Sequence, residues 1–181
     1  DGEVFVGSPS LFERDLGVSL AKVAKDVASL QEAGKTVIVV GDARSAWALL
    51  AIRDNVCPNA VAAVRALHES GVRSVVMLTG DNVRTAQAIA REVGIDEVHA
   101  DLKPEDKARI IRDLKARDGH VAMVGDGVND APALAEATVG VAMGAAGTDV
   151  ALETADVALM ADDLEKLVYA LRLAQRNQRV V

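Results

Sequence analysis

The sequence predicts an α/β protein in which helices cover a parallel sheet, preceded by a shorter α+β segment. From about residue 54 onward, apolar stretches of strand length alternate with helical stretches, as they do in folds with right-handed crossovers. Half of the 181 residues are hydrophobic but only 2% are aromatic, so the core must be aliphatic, which suits a sheet buried on both faces. Before residue 54, two strand-like stretches meet at a short turn and predict an antiparallel hairpin.

We expect two domains, residues 1–53 and 54–181, with a hinge at Asp54–Pro58 because that stretch is polar and contains a proline. In the first domain, Ser19 is expected to be the N-cap of a helix and Gly34 its C-cap. The elements predicted there are a strand near Val4–Val6, a turn at Gly7–Pro9, a helix over Ser19–Ala33, and the hairpin strands Thr36–Val40 and Ala46–Arg53.

The second domain alternates regularly between the two kinds of element. The predicted helices span residues 59–70, 83–93, 104–116, 132–137 and 163–177, and the predicted strands span residues 73–78, 97–100, 120–124, 138–143 and 157–160. The motifs of this domain that could bind phosphate follow its strands. They are therefore expected at the carboxyl edge of the sheet, where open α/β folds bind their ligands.

A glycine-rich turn, GDGVNDAPAL at Gly125–Leu134, follows one of these strands and leads into a helix. Its aspartates Asp126 and Asp130 lie four residues apart, and carboxylates on a tight turn after a strand suit Mg²⁺. The glycines allow the backbone to approach an anion closely. In an isolated pattern, Asp130 would be interpreted as a simple helix N-cap. The flanking glycines and Asn129 favour a Mg²⁺ site that meets a phosphate.

Two further segments carry phosphate-binding chemistry. Thr79 ends the strand in VVMLTGDN, where a hydroxyl and free N–H groups before a helix can hold phosphate oxygens. KPEDK, Lys103–Lys107, places a proline in the first turn of a helix and Lys107 one turn in, within reach of a phosphate. Taken singly, Thr79 could be a helix cap and Lys107 a solvated residue. In this order, the Thr, Lys and Asp-Asp motifs form a set for phosphoryl transfer.

The motifs TGDN, KPEDK and GDGVNDAPALAEATVGVAMG resemble the phosphorylation domain of P-type cation-transporting ATPases, which belongs to the haloacid dehalogenase-like superfamily. The tail Ala145–Leu167 is similar to the heavy-metal (P1B) branch, most of all to the cobalt/zinc/cadmium group. The resemblance covers nearly the whole chain. It implies a haloacid dehalogenase-like three-layer parallel sheet in residues 54–181 and the end of the nucleotide-binding domain in residues 1–53.

By position, the resemblance also implies a role for each motif residue. Thr79 would contact the phosphoryl group and Lys107 would stabilise the aspartyl phosphate, with Asn129 near the phosphate. Asp126 would bind Mg²⁺, the implied cofactor, and Asp130 would support that site.

The remaining residues of the TGDN motif are implied to meet the substrate. Gly80 and Asp81 would face the nucleotide, ATP, when the two domains close.

One motif of the resembled family is absent. Its nucleophile is the Asp of a D-K-T-G-T motif, which does not occur in these 181 residues. The nearest imitation is Asp42 after the strand TVIVVG, but no Lys-Thr-Gly-Thr follows it, so we expect Asp42 to be a turn residue. In the family the nucleophile precedes the nucleotide-binding domain. We therefore expect the chain to begin inside that domain, to lack the first strand of the phosphorylation domain, and to form no phosphoenzyme by itself.

The implied partners are the rest of the same polypeptide and a transported heavy-metal cation bound by membrane helices that this sequence lacks, with efflux the expected direction. No apolar run approaches the roughly 20 residues that span a bilayer. We expect a soluble segment at the cytoplasmic face of the cell membrane, with a membrane helix shortly after Val181. The net charge of -7 argues against nucleic acid as a partner.

Two other classes of protein are considered. A freestanding phosphatase of the same superfamily would need a D-x-D nucleophile motif after a strand, and the sequence has none. A regulatory module that binds Mg²⁺ and phosphate but has lost the nucleophile remains the alternative.

Overall fold

The computed structural model describes residues 3–52, 56–126, 129–144 and 153–178. An antiparallel sheet lies in the first of these ranges and parallel sheets lie in the others, so the α/β class is as predicted. The sequence predictions that concern Arg53, Asp54, Asn55, Gly127, Val128, residues 145–152 and residues 179–181 lie outside the described ranges.

The predicted hairpin is confirmed. Its strands are β2 (Thr36–Gly41) and β3 (Ala46–Ile52), and β1 (Phe5–Gly7) pairs antiparallel with the other side of β2. Asp42 is a turn residue, as expected, because its Oδ1 accepts the backbone N–H groups of Arg44 and Ser45 at 2.8 and 2.7 Å. These two hydrogen bonds to the ionised form lower the pKa of the Asp42 carboxyl.

The helical segments of residues 3–52 differ from the prediction. A π-helix, Leu11–Asp15, follows β1, and helix α1 spans only Ala24–Glu32. Ser19 is not its N-cap, because the side chains of Val18 and Leu20 are buried with Phe12 and hold this stretch outside the helix. The C-cap is Ala33 rather than Gly34, but the helix ends near the predicted position because Gly34, the next residue, has a left-handed φ of 71°.

The described residues from position 56 onward alternate between helices and strands as predicted. The helices are α2 (Ala60–Glu69), α3 (Val83–Val93), α4 (Pro104–Asp118), α5 (Ala131–Glu136) and α6 (Leu164–Gln178). The strands are β4 (Val76–Leu78), β5 (Glu97–His99), β6 (Ala122–Gly125), β7 (Val139–Met143) and β8 (Val157–Leu159). In the described part of the chain, no helix is both long and apolar enough to cross a membrane.

All strand pairs in this region are parallel, but within the described ranges they form two sheets rather than one. One sheet contains β4 and β5, and the other has the order β6-β7-β8. The two sheets nevertheless share one core, because Val76 and Leu78 of β4 pack against a cluster that includes Met123 of β6. Strands β4 and β6 therefore pack on a common core, although no backbone ladder joins them in the described ranges.

Helix α5 is held at the centre of this core. Leu134 is 1% exposed and packs in the cluster formed by Ile111, Leu114, Met123 and Ala133. The helix contacts α4 on one side and β6 and β7 on the other. Because α5 starts directly after Asp130, this packing fixes where that carboxylate lies.

Replacing Leu134 by Ala should destabilise the protein by about 2–5 kcal/mol, the cost of a cavity in a well-packed core. The same substitution at Leu173, which is 47% exposed on α6, should cost less than about 1 kcal/mol. Urea unfolding monitored by circular dichroism measures both changes. Equal losses at the two positions would show that α5 is not anchored through Leu134.

Candidate active site

The turn after β6 carries the two aspartates of the glycine-rich motif. Asp126 is exposed, and its Oδ1 accepts the backbone N–H of Asn129 at 3.3 Å. Asp130 occupies the N-cap position of α5, but its side chain makes no capping hydrogen bond. The interpretation of Asp130 as a simple helix cap therefore does not describe this carboxylate.

Asp130 instead forms an ion pair with Lys107 of α4. Lys107 Nζ lies 2.6 Å from Asp130 Oδ1, and the two side chains are only 16% and 13% exposed. Lys107 is therefore not a solvated surface residue. Because N⁺–H···O⁻ contacts are among the stronger hydrogen bonds, this contact ties the start of α4 to the turn between β6 and α5.

The start of α4 is fixed in its own right. Pro104 occupies its first turn, where a missing N–H costs nothing, and the Asp106 carboxylate accepts the Lys103 backbone N–H at 3.2 Å. Lys107 follows one residue later and projects from an ordered first turn. The sequence correctly predicts this location of Lys107 but not its ionic partner.

The glycines are predicted to let the backbone approach a phosphate, whereas in the structure Gly125 approaches a side chain of the protein itself. A Cβ atom at this position would lie 2.6 Å from Asp130 Oδ2, which is closer than real Cβ contacts allow. The anion that approaches the backbone is thus the side chain of Asp130 itself. A residue other than glycine here would push Asp130 away from Lys107.

Thr79 lies directly after β4, and its hydroxyl is already engaged. Thr79 Oγ1 donates to Asp81 Oδ2 at 3.1 Å and accepts the Asp81 backbone N–H at 3.0 Å. Thr79 is not the cap of the next helix, because the Asn82 side chain accepts the Thr85 N–H in that role. A hydroxyl has one proton to donate, so Thr79 can donate to another oxygen only after turning away from Asp81.

A continuous series of contacts connects Thr79 with Lys107. The Leu102 backbone N–H donates to the Thr79 carbonyl at 3.1 Å, and the Asp101 N–H donates to the Asp81 carbonyl at 2.7 Å. The loop that contains Asp101 and Leu102 leads directly into α4. The structure therefore joins the TGDN, KPEDK and GDGVND motifs at one edge of the parallel sheets, as the sequence predicts.

The donor set at this edge suits a hard cation that is shared with a substrate. Within the described ranges, no group of three or more His, Cys, Asp or Glu side chains is arranged to hold a metal ion. Mg²⁺ is commonly bound by one or two carboxylates, waters and the phosphates of a substrate, so a single exposed carboxylate is compatible with it. Asp126 provides such an exposed carboxylate, and the neighbouring carboxylate of Asp130 pairs with Lys107.

A cleft of about 640 Å³ opens beside the TGDN loop. One wall comes from the π-helix and α1 and includes Arg14 and Gln31, and the other includes Gly80, Arg84 and Lys103. Gly80 thus faces an open space between the antiparallel sheet and the parallel sheets. Asp81, predicted to face the same ligand, is turned towards Thr79 instead.

Sequence reasoning missed two residues near this cleft. Thr85 is buried and forms a hydrogen bond with the Lys35 carbonyl, and Asp101 has a left-handed φ of 55°. An N-cap residue, Asn82, is followed three positions later by a polar residue, Thr85. This spacing indicates a local hydrogen bond between them. The contact with Lys35 spans fifty positions, and no local pattern could have indicated it.

Comparison with known proteins identifies the class to which this fold and site belong. The family described as haloacid dehalogenase-like hydrolase matches residues 2–138. The chain therefore belongs to the haloacid dehalogenase-like hydrolase family.

Within that class, the relatives of the chain are metal-transporting P-type ATPases. The "Probable cadmium-transporting ATPase" of Alkalihalophilus pseudofirmus is 46% identical over 178 residues, which are 98% of this chain and 25% of the relative. The "Probable cation-transporting ATPase G" of Mycobacterium bovis is 51% identical over 161 residues, 89% of this chain and 21% of the relative. The chain thus spans a quarter or less of the length of these relatives.

The solved structures agree with the sequence relatives. A zinc-transporting PIB-type ATPase in the E2.Pi state is similar with a TM-score of 0.72 and 39% identity, over 97% of this chain and 28% of that one. The catalytic domain of the CPx-ATPase CopB-B is similar with a TM-score of 0.60 and 29% identity, over 76% of this chain and 57% of that one. The predicted resemblance to heavy-metal P-type ATPases is therefore confirmed.

The ion pair between Lys107 and Asp130 should contribute measurably to stability. Replacing Asp130 by Asn leaves a largely buried ammonium without its counter-charge, and should cost about 1–3 kcal/mol. Adding Lys107→Met to this variant should recover part of the loss. A double-mutant cycle by urea unfolding measures the coupling energy between the two side chains. The control is Arg65→Gln in the exposed Arg65–Glu69 pair, which should change the free energy of unfolding by less than about 0.5 kcal/mol. Additive effects of the two site substitutions would contradict a direct interaction.

Proposed function

We propose that this chain is the cytosolic ATP-hydrolysing part of a heavy-metal-transporting P-type ATPase, in which turnover of an aspartyl phosphate drives metal transport. The observation that carries the proposal is the pair formed by Lys107 and Asp130. It brings an ammonium group to the turn that follows β6, and the Asp101–Leu102 loop that leads into the helix of Lys107 is hydrogen-bonded to Thr79 and Asp81. Phosphoryl transfer requires such positioning and charge neutralisation more than covalent chemistry by the protein.

We assign residues 1–53 to the end of the nucleotide-binding domain and residues 54–181 to a phosphorylation domain without its first strand. The split between the two parallel sheets supports this assignment. In the described structure β4 and β6 share a core but not a ladder, which is the arrangement expected if a strand normally lies between them. That strand would carry the nucleophilic Asp of the D-K-T-G-T motif, beside Thr79 and Asp126.

Each site residue has a role in this reaction. Asp126 would hold Mg²⁺, which when bound supplies positive charge to the phosphate oxygens. Lys107 would move its ammonium from Asp130 towards the transferred phosphoryl group and stabilise the aspartyl phosphate. Asp130 would keep Lys107 in place before and after the transfer, and Asn129 would lie near the phosphate.

The TGDN loop would respond to the nucleotide. Thr79 would donate a hydrogen bond from its hydroxyl to a phosphoryl oxygen once Asp81 turns away from it. Asp81 and Gly80 would then face ATP, and the cleft beside Gly80 provides the open space through which the nucleotide could approach.

The transported ion is proposed to be a heavy-metal cation, because the relatives carry names such as cadmium-transporting and zinc-transporting ATPase. It would bind in membrane helices of the rest of the polypeptide and be exported, with the present residues at the cytoplasmic face of the membrane. The alternative is a regulatory module that binds Mg²⁺ and phosphate without a nucleophile. The two differ in whether the full-length protein forms a phosphoenzyme.

Replacing Asp126 by Ala in the full-length protein should abolish Mg²⁺-dependent phosphorylation by ATP, because the carboxylate that holds the ion is lost. Labelling with γ-³²P-ATP at increasing Mg²⁺ concentrations measures this directly. Asp113→Ala is a matched control, since Asp113 is exposed on α4 away from the site, and should leave labelling unchanged. Undiminished labelling of the Asp126 variant would refute the metal assignment.

Replacing Lys107 by Ala in the same protein should lower the phosphorylation rate roughly 100-fold, the scale observed when one preorganised donor to a transition state is lost. Rapid-quench labelling measures the rate. Lys166→Ala, at an exposed position on α6, should have no effect. An unchanged phosphorylation rate in the Lys107 variant would contradict the catalytic role and show that the ion pair with Asp130 serves the structure alone.

A further inference from the structure

Thr85 differs from the other polar residues of the protein in its burial. Among the described residues it is the only polar or charged residue that is buried, at 2% exposure. It lies in the first turn of α3, three residues after Asn82, which is the last residue of the TGDN motif. Burying a hydroxyl costs free energy unless the hydroxyl is hydrogen-bonded, so the partners of Thr85 must offset this cost.

The Thr85 hydroxyl connects two distant segments of the chain. It donates to the Lys35 carbonyl at 3.1 Å and accepts from Asn82 Nδ2 at 2.9 Å. The Thr85 backbone N–H donates to Asn82 Oδ1 at 3.1 Å. The hydroxyl therefore donates its single proton to a hydrogen bond with the antiparallel part of the protein, and its oxygen accepts a hydrogen bond from the Asn82 side chain.

The Lys35 carbonyl is presented to Thr85 by the end of α1. Gly34 has a φ of 71°, and the Lys35 N–H donates back to the Leu30 carbonyl at 3.1 Å, which closes the helix. A Cβ atom on Gly34 would lie 3.6 Å from the Cβ of Ala88, an ordinary contact distance, so this turn lies directly against α3. Helices α1 and α3 also pack together.

The other end of this connection is the loop that is proposed to meet phosphate and nucleotide. Asn82 follows Asp81 directly, and the Asp81 carboxylate in turn holds the Thr79 hydroxyl. A covalent and hydrogen-bonded path therefore runs from Lys35 through Thr85 and Asn82 to the Thr79–Asn82 loop. The cleft lies beside this path, because Gln31 of α1 and Asn82 both line it.

We propose that Thr85 is a positioning residue that fixes the Thr79–Asn82 loop relative to the antiparallel part of the protein. Thr85 does not contact the reacting atoms. It couples the orientation of residues 3–52 to the loop that carries Thr79. The effect on ATP use rests on the proposed function, whereas the coupling between the two parts of the chain does not.

The coupling is tested in this chain by NMR. Residual dipolar couplings of the wild type should fit one alignment tensor for residues 3–52 and 56–178. In Thr85→Val, which keeps the shape but not the hydroxyl, the two parts should require different tensors. Thr85→Ser should restore the single tensor, and Thr36→Val, the same change at the exposed start of β2, should retain it. A single tensor in a folded Thr85→Val variant would overturn the proposal.

The consequence for catalysis is tested in the full-length protein. Thr85→Val should raise the KM for ATP roughly fivefold, the factor that corresponds to one net hydrogen bond, with kcat within about twofold of the wild type. Thr85→Ser should restore KM, and Thr36→Val should not change it. An unchanged KM, or a loss of kcat alone, would overturn the positioning role. A wild type without ATPase activity would refute the proposed function, and the NMR result would then decide the coupling by itself.

Discussion

The contact between Lys107 and Asp130 is the interaction on which the organisation of the site depends. It joins α4, which follows one parallel sheet, to the turn after β6, which belongs to the other. The contact forms because several local features agree: a capped first turn in α4, a glycine at position 125 that allows the carboxylate to approach, and a core that fixes α5 through Leu134. A change in any of these features would move a charged group at the proposed active site.

The same contact also compensates the charge of Lys107, which matters for the proposed function. An ammonium group held near a phosphate-binding position would be uncompensated and partly desolvated if it had no counter-charge. Asp130 supplies that charge, and under the proposed function it would release Lys107 to an incoming phosphate. Asp81 likewise accepts the hydrogen bond of the Thr79 hydroxyl, which under the proposed function would turn to the substrate when it binds.

Much of this structure could be predicted from the sequence, and the failures have identifiable causes. Helix α3 agrees with its predicted bounds because local signals mark both ends, Asn82 as N-cap and Gly94 in a left-handed conformation. Ser19 was a wrong N-cap because burial of Val18 and Leu20 overrides a capping preference. The sequence predicts that Thr79 and Asp126 follow parallel strands, as they do in the structure, but the partners of Lys107 and Thr85 lie 23 and 50 positions away in the chain. Local patterns carry no information about such contacts.

Under the proposed function, these residues complete an active site whose nucleophile is an aspartate elsewhere in the same polypeptide. The most direct measurement is to label the full-length protein with γ-³²P-ATP and Mg²⁺, and to map the phosphorylated residue after testing its sensitivity to hydroxylamine. We expect an acyl phosphate, stable in acid and cleaved by hydroxylamine, on the Asp of a D-K-T-G-T motif. The absence of any acyl phosphate, or a label on a hydroxyl side chain, would contradict this account.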